Sequence, residues 1–401
     1  MGPMRAVVLG GGGLTGRGAV RQLGAGGVFD EIVAADVDVG LAHAAAAATG
    51  VHVQASALDV RDHRATAELL RGATVVVNAA PYAFNLDAMA AALEAHVPYL
   101  DFGGLFHTTR RQLELDRRFR DARLLAIPGL GQVPGVSNVL AVAAAEAFDR
   151  VDSIILRDGW CDLAAGGPEL SFTWSPATFL DEMVRSAVVF EDGAYREHPP
   201  MSEAEEYDFA PPVGRTKVYR TLHSEPATLP ESLKAKGLRH CEWKEGGPGI
   251  ELLRVLGQLG LGSESPLEVH GARVVPREFT VALLRRENLL GPRPGSVVDD
   301  WEVLDIELRG TEQGRPAVRH AVARFPPWPE WHLSATEYAV GTAGAIGAEM
   351  IARGEVTGAG VIPPERCVPA PEFRRELARR GIRTAVCPPD PPLPDFRTKK
   401  A

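Results

Sequence analysis

Cysteine is scarce in this chain. The four residues, Cys161, Cys241, Cys367 and Cys387, lie far apart and form no C-x-x-C pair. That argues against a disulfide framework or a cysteine-built zinc site and suits reduced thiols in a cytoplasm. A basic excess is lacking too: 43 Lys and Arg against 52 Asp and Glu leave a formal charge of −9. Neither nucleic acid nor an anionic membrane is therefore expected as a partner. No apolar run reaches the about 18 residues of a membrane span. The first residues enter a strand-like run at once, so no secretory leader is expected. The G-K-[ST] phosphate loop, the H-E-x-x-H zinc pair and the G-x-S-x-G elbow are all missing. His107 and His332 have no neighbours at metal-ligand spacing and read as structural, so no metal is expected.

What is present is the composition of a soluble globular protein, 45% hydrophobic and 24% charged over 401 residues, with room for two or three cores. The first third alternates between short Val-, Ile-, Leu- and Ala-rich runs ("RAVVL", "EIVAADV", "ATVVVNAAP", "RLLAIPG") and segments of helical spacing. Near-continuous apolar strands separated by helices predict a parallel sheet covered on both faces, a doubly wound α/β domain of Rossmann type. No internal repeat is visible.

Glycine is abundant, 42 residues, and four stand in a row after the first strand. Gly10, Gly13 and Gly16 fit G-x-x-G-x-x-G, while Gly11, Gly13 and Gly16 fit G-x-G-x-x-G. Either frame, with Leu14 and Thr15 opening the helix, presents bare backbone N–H groups to a pyrophosphate. Asp36 lies 20 residues beyond Gly16 at the end of the second strand, where a carboxylate can accept from an adenosine ribose. No Arg or Lys stands nearby to hold a 2′-phosphate, so NAD is expected over NADP. Asp59 and Val60 sit where adenine would rest, Asp59 being equally readable as a helix N-cap. Asn78, Ala79, Ala80, Pro81 and Tyr82 close the fourth strand at the crevice.

Taken together, "VVLGGGGLTGRGA", "VVVNAAPYAFN", "VPYLDFGG", "IPGLGQVPGVSNVLA", "FTWSPATFLDE" and "GVIPPERCVPAPEFRRELARRGI" resemble the saccharopine dehydrogenase family, especially its lysine 6-dehydrogenase-like branch. The resemblance implies an NAD-binding Rossmann domain (residues 1–135) and an inserted α+β substrate and dimerisation domain (136–330). It also implies a C-terminal helix and tail packing back on the first domain (331–401). A homodimer acting on a small-molecule amine or amino acid is expected, with NAD(P) oxidising a C–N bond or driving the reverse condensation.

Further along, a helix over 137–148, a strand in "RVDSIILRDGW" and a second strand in "PELSFTWSP" are predicted. The Pro- and acid-rich 196–214 stretch reads as an exposed connection, "TKVYRTL" as a strand, and 296–325 as a strand pair around a turn. The Ser334-x-x-Glu337 capping box opens a helix whose Gly341, Gly344 and Gly347 permit close packing.

Hydride transfer from an amine needs a base, because an ammonium with a reference pKa of about 10.4 must first lose its proton. Asp101, His223 and Glu225 are the acid–base and ammonium-binding candidates, Asp101 being equally readable as a turn-forming residue. Trp174 offers an apolar wall or core packing, Thr173 and Ser175 hydroxyls, and Arg215 a carboxylate grip, with Lys217 and Arg220 as rivals. Three readings follow. The first is an NAD-dependent amine dehydrogenase with L-lysine as first substrate to try. The second is a condensing enzyme forming a saccharopine- or carboxyspermidine-like secondary amine. The third is a non-catalytic NAD-binding regulatory protein.

Overall fold

The computed structural model describes residues 2–49, 53–164 and 172–386. Strands β1 (Arg5–Leu9), β2 (Glu31–Asp36), β3 (Val53–Ala57), β4 (Val75–Asn78), β5 (Tyr99–Asp101) and β6 (Leu125–Ile127) lie side by side in the order β6-β5-β4-β1-β2-β3. All neighbours run parallel. Val76 and Val77 are both fully buried although they face opposite sides of the sheet, which is why these strands read as continuous apolar runs. Strand order reverses between β1 and β4, and a crevice opens at their carboxyl ends.

The second half builds a nine-stranded mixed sheet. It contains β7 (Arg150–Asp162), β8 (Ala187–Glu191), β9 (Ala194–His198), β10 (Ser202–Asp208), β11 (Arg215–Arg220) and β12 (His240–Gly246). A small hairpin, β13 (Leu267–Val269) and β14 (Ala272–Val274), precedes the long antiparallel pair β15 (Asp300–Glu312) and β16 (Arg315–Phe325). After the Ala335–Ala352 helix the chain returns to the first sheet, where β17 (Gly360–Val361) pairs with β6. The last described element, β18 (Arg383–Val386), lies on the second sheet against β16.

One face of the second sheet buries Ile154, Leu156, Trp243, Leu304 and Ile306 in the same core as the Val136–Ala145 helix. The two sheets are joined by the Ala335–Ala352 helix, which lies against the Leu14–Gly26 helix with little between them. A Cβ on Gly341 would stand 2.4 Å from the carbonyl carbon of Gly18. The expected capping box is formed, Ser334 accepting from the Glu337 N–H and Glu337 accepting from the Ser334 N–H.

Two predicted elements differ. In "PELSFTWSP" residues 168–171 lie outside the described ones, Phe172 makes only an isolated bridge with Leu290, and Pro176 opens the Pro176–Val184 helix behind its Ser175 N-cap. The stretch 196–214 contains β10, paired with β11. Its Glu205 side chain reaches past β11 to Lys244 of β12 and Arg157 of β7, so the strand meets the sheet there through charge rather than an apolar side chain.

Candidate functional site

The site has two halves, one at each sheet. In the first, β1 gives way to the glycine run. Gly10 is left-handed at φ 70°, and a Cβ there would come 2.7 Å from the Ala79 backbone. On Gly16 a Cβ would stand 2.0 Å from the Gly10 carbonyl oxygen, so the following helix can start this close only with glycine. Gly13 caps that helix without any side-chain acceptor, leaving its first N–H groups and the positive dipole end turned to the crevice. Asp36 accepts from the Gly12 and Asp38 N–H groups, both at 3.0 Å. A dinucleotide fits this corner: the N–H groups of Gly11, Gly12 and Gly13 are bonded to Ala35, Asp36 and Gly10, which leaves the helix's first turn, Leu14–Gly16, to a pyrophosphate, with the ribose beside Asp36. Gly12 escaped both spacing frames, yet its Cβ would strike Leu41 at 2.6 Å; the run of four glycines was the available signal.

The second half lies on the core face of the larger sheet. Alternation carries that face from Leu156 to Asp158 on β7, from Trp243 to Glu245 on β12, and from Leu304 back to Glu302 on β15. The register places Glu245 beside Asp158, and Glu302 beside Trp160. Glu182 comes in from the Pro176–Val184 helix, and His223 and Glu225 from the loop after β11. All five carboxylates are buried. None has a Lys or Arg within ion-pair distance among the described residues; their partners are His223, Ser137, Thr221, Gln132, Thr336 and the Trp174 indole. Burial pushes Asp158, Glu182, Glu245 and Glu302 above the usual carboxylate range, and their mutual repulsion adds to it.

His223 lies flat over Trp243, ring centroids 4.0 Å apart. Its Nδ1 meets Glu225, whose other oxygen accepts from Ser137 Oγ at 2.7 Å. That fixes Nδ1 as the protonated nitrogen and leaves Nε2 as the acceptor. The negative charges of Glu225 and Glu245 outweigh burial and raise the His223 pKa. A cavity of about 480 Å³ reaches Glu302 and is walled by Trp160, Trp174 and Phe179. Arg293 is the one Arg or Lys among the described residues of its lining. Ser224 Oγ would lie 3.6 Å from a Cβ on Gly103, just past β5, so the His223 loop reaches the crevice of the first sheet.

Two family models match the chain. Residues 6–127 match the saccharopine dehydrogenase NADP binding domain, and residues 131–382 the saccharopine dehydrogenase C-terminal domain. The chain belongs to the saccharopine dehydrogenase family. Members of this family are NAD(P)-binding oxidoreductases. The chain is 27% identical to carboxyaminopropylagmatine dehydrogenase from Synechocystis sp. over 350 residues, covering 82% of this chain and 84% of that protein. In fold it is similar to the L-Glu-forming saccharopine dehydrogenase of Saccharomyces cerevisiae, with a TM-score of 0.72 at 17% identity over 96% of this chain and 100% of that one. The homospermidine synthase of Legionella pneumophila gives a TM-score of 0.64 at 12% identity over 96% and 91%.

Within this saccharopine dehydrogenase-family chain several expected residues do other work. Asp101 is fully buried and accepts from Gly103 N, Gly129 N, Tyr99 Oη and Gln112 Nε2. With all four acceptor positions used it clamps two loops and has none left for a substrate proton. Asn78 is likewise spent on Asn85, Tyr99 and the Ala80 N–H, while the backbone of Ala79 and Ala80 lies against Gly10. Asp59 is neither N-cap nor free: it grips Arg61, and the cap is Asp62. Arg215 is exposed, beside Glu206 and away from the larger cavity; Lys217 pairs with Glu251 and Arg220 with Glu242. Ser175 caps a helix, whereas Thr173 bonds Thr336 at 2.7 Å and lines the cavity with Trp174. Glu225 stands behind His223, and neither residue is on the lining of that cavity. Asp158, Glu182, Glu245 and Glu302 were missed; each continues an apolar strand or helix face with a carboxylate, a signal readable only once the register is known.

Proposed function

We propose that this chain is an NAD-dependent oxidoreductase that forms or cleaves a secondary amine between an amino-acid carbon chain and a polyamine-like partner. The observation that carries this is the cluster of five buried carboxylates around one histidine, with no Lys or Arg within ion-pair distance among the described residues. Without cations these buried acids keep their protons, and ionising them costs several kcal/mol each unless cations join them. A substrate with two or more ammonium or guanidinium groups supplies those cations. The aromatic walls Trp160 and Trp174 suit its methylene chain and its charges alike, and Arg293 suits a terminal carboxylate.

The glycine turn and Asp36 would hold NAD. When bound, NAD supplies a hydride acceptor, or in its reduced form a donor, at the carbon next to the substrate nitrogen. His223 Nε2 takes the proton that the nitrogen sheds, and the Glu225 carboxylate steadies the imidazolium. Asp36 favours NAD over NADP because a 2′-phosphate would stand against its charge.

Oxidation of L-lysine at its ε-carbon ranks second, since two ammonium groups use less of the cluster and the similar Synechocystis protein is named for a longer amine. A non-catalytic reading leaves the oriented His223 unexplained. The test follows reduced-cofactor absorbance with L-lysine, saccharopine, spermidine and agmatine in the oxidative direction. The reductive direction pairs each amine with an amino-acid aldehyde. Turnover with agmatine or spermidine plus the aldehyde supports the proposal; turnover with lysine alone supports the second reading.

A further inference from the structure

A side-chain hydrogen bond crosses from the first sheet's crevice to the helix that carries Glu182. Tyr82 follows β4 at the crevice of the first sheet, and its ring packs with Leu105 and Phe106 of that domain against Val188 and Leu222 of the other. Its phenol donates to Asp181 Oδ2 at 2.5 Å. Asp181 is buried and already compensated: Arg277 grips both its oxygens, with Nη1 at 3.1 Å, and Arg185 Nε lies at 2.7 Å. The phenol therefore adds little to charge balance.

What the contact does is join the crevice to the acid cluster. Asp181 and Glu182 are consecutive on one rigid helix. While Asp181 faces Tyr82, the Glu182 side chain takes the Trp174 indole and shares the buried cluster with Glu245 and Glu225. Its backbone carbonyl accepts from the Leu222 N–H at 3.4 Å, one residue before His223. A displacement of the Tyr82 loop is thus passed through Asp181 to Glu182 and to the segment bearing His223. Burial and the Asp181 charge keep the phenol protonated, a donor at every working pH.

We propose that Tyr82 and Asp181 are a positioning pair that couples occupancy of the dinucleotide crevice to the geometry of the buried acid cluster. Cofactor and amine then favour each other's binding. The proposal rests on the assignment of the two halves as cofactor and amine sites. Its logic is that of linkage: a loop held by one ligand biases a helix read by the other, and the effect is reciprocal.

The experiment measures the NADH dissociation constant of the whole protein by fluorescence titration, with and without saturating agmatine. Wild-type protein is expected to bind NADH about tenfold more tightly with agmatine present. In Tyr82→Phe, which keeps the ring in its apolar cluster, the ratio is expected to fall to about one while melting temperature stays within a few degrees of wild type. A ratio unchanged in the variant overturns the pair, as does a wild-type ratio of one; both leave the assignment of the two sites standing. Protein that binds neither ligand overturns that assignment and the pair together. Hydrogen exchange on wild type gives a second readout independent of any variant. NADH alone should slow exchange at the Leu222 and Arg185 amides, and unchanged rates there contradict the coupling.

Discussion

His223 rests on Trp243 with ring planes within 10° of each other, its Nδ1 turned to Glu225. Stacking sets the plane of the imidazole and the carboxylate sets its rotation, so one nitrogen is left for proton transfer. His223→Gln should lower turnover by about 10²–10⁴-fold, the span of a lost general base, with NADH affinity unchanged. Steady-state kinetics beside a binding titration checks it, and near-normal turnover would remove His223 from the chemistry.

The carboxylate behind the ring has a signature of its own. Glu225 raises the His223 pKa, so Glu225→Gln should lower it. The acidic limb of the pH–rate profile should then move to lower pH, while the maximal rate falls. A profile that drops in height without moving would make Glu225 a packing residue only.

Stability should fall as pH rises, opposite to a chain dominated by surface ion pairs. Burial lifts Asp300 to about 8 and Glu337 to about 6, the latter despite its Arg17 partner. Both folded values lie above the unfolded ones of about 3.9 and 4.3. The native state therefore holds protons that the unfolded chain has released, and stability is lost between about pH 4 and pH 8. Melting temperatures across that window should decline in wild type and decline less in Asp300→Asn, the difference being largest at pH 8. A flat difference would place Asp300 in a wetter setting.

The close approach of two helices at Gly18 and Gly341 makes a further mark. A Cβ on Gly18 would stand 2.3 Å from the Glu337 carbonyl oxygen, a backbone atom that cannot swing aside. Gly18→Ala should cost about 1–3 kcal/mol by overpacking, read as a lower midpoint in urea. An unchanged midpoint would show that the contact has slack.

Much of this architecture was legible from residues alone. The parallel sheet announced itself because strands buried on both faces are apolar throughout, and the glycine run with Asp36 marked the turn and crevice. The Ser334 capping box and the glycines at 341, 344 and 347 marked the returning helix. The acid cluster was hidden for a physical reason. Asp158, Glu245 and Glu302 lie far apart along the chain and meet only through the register of β7, β12 and β15. Asp101 misled because a carboxylate at a strand end near a crevice looks the same in sequence whether its acceptors are free or filled. His223 and Glu225 were singled out by their types, but that the carboxylate meets the ring at Nδ1 required the fold.

The most direct measurement follows the hydride. NADH deuterated at the transferring position would be incubated with the protein, agmatine and an amino-acid aldehyde, and the product analysed by mass spectrometry and NMR. The account predicts a secondary amine carrying one deuterium on the former aldehyde carbon, next to the new nitrogen. NADH left unconsumed across the polyamine panel, or deuterium found on a carbon not bonded to that nitrogen, would contradict it.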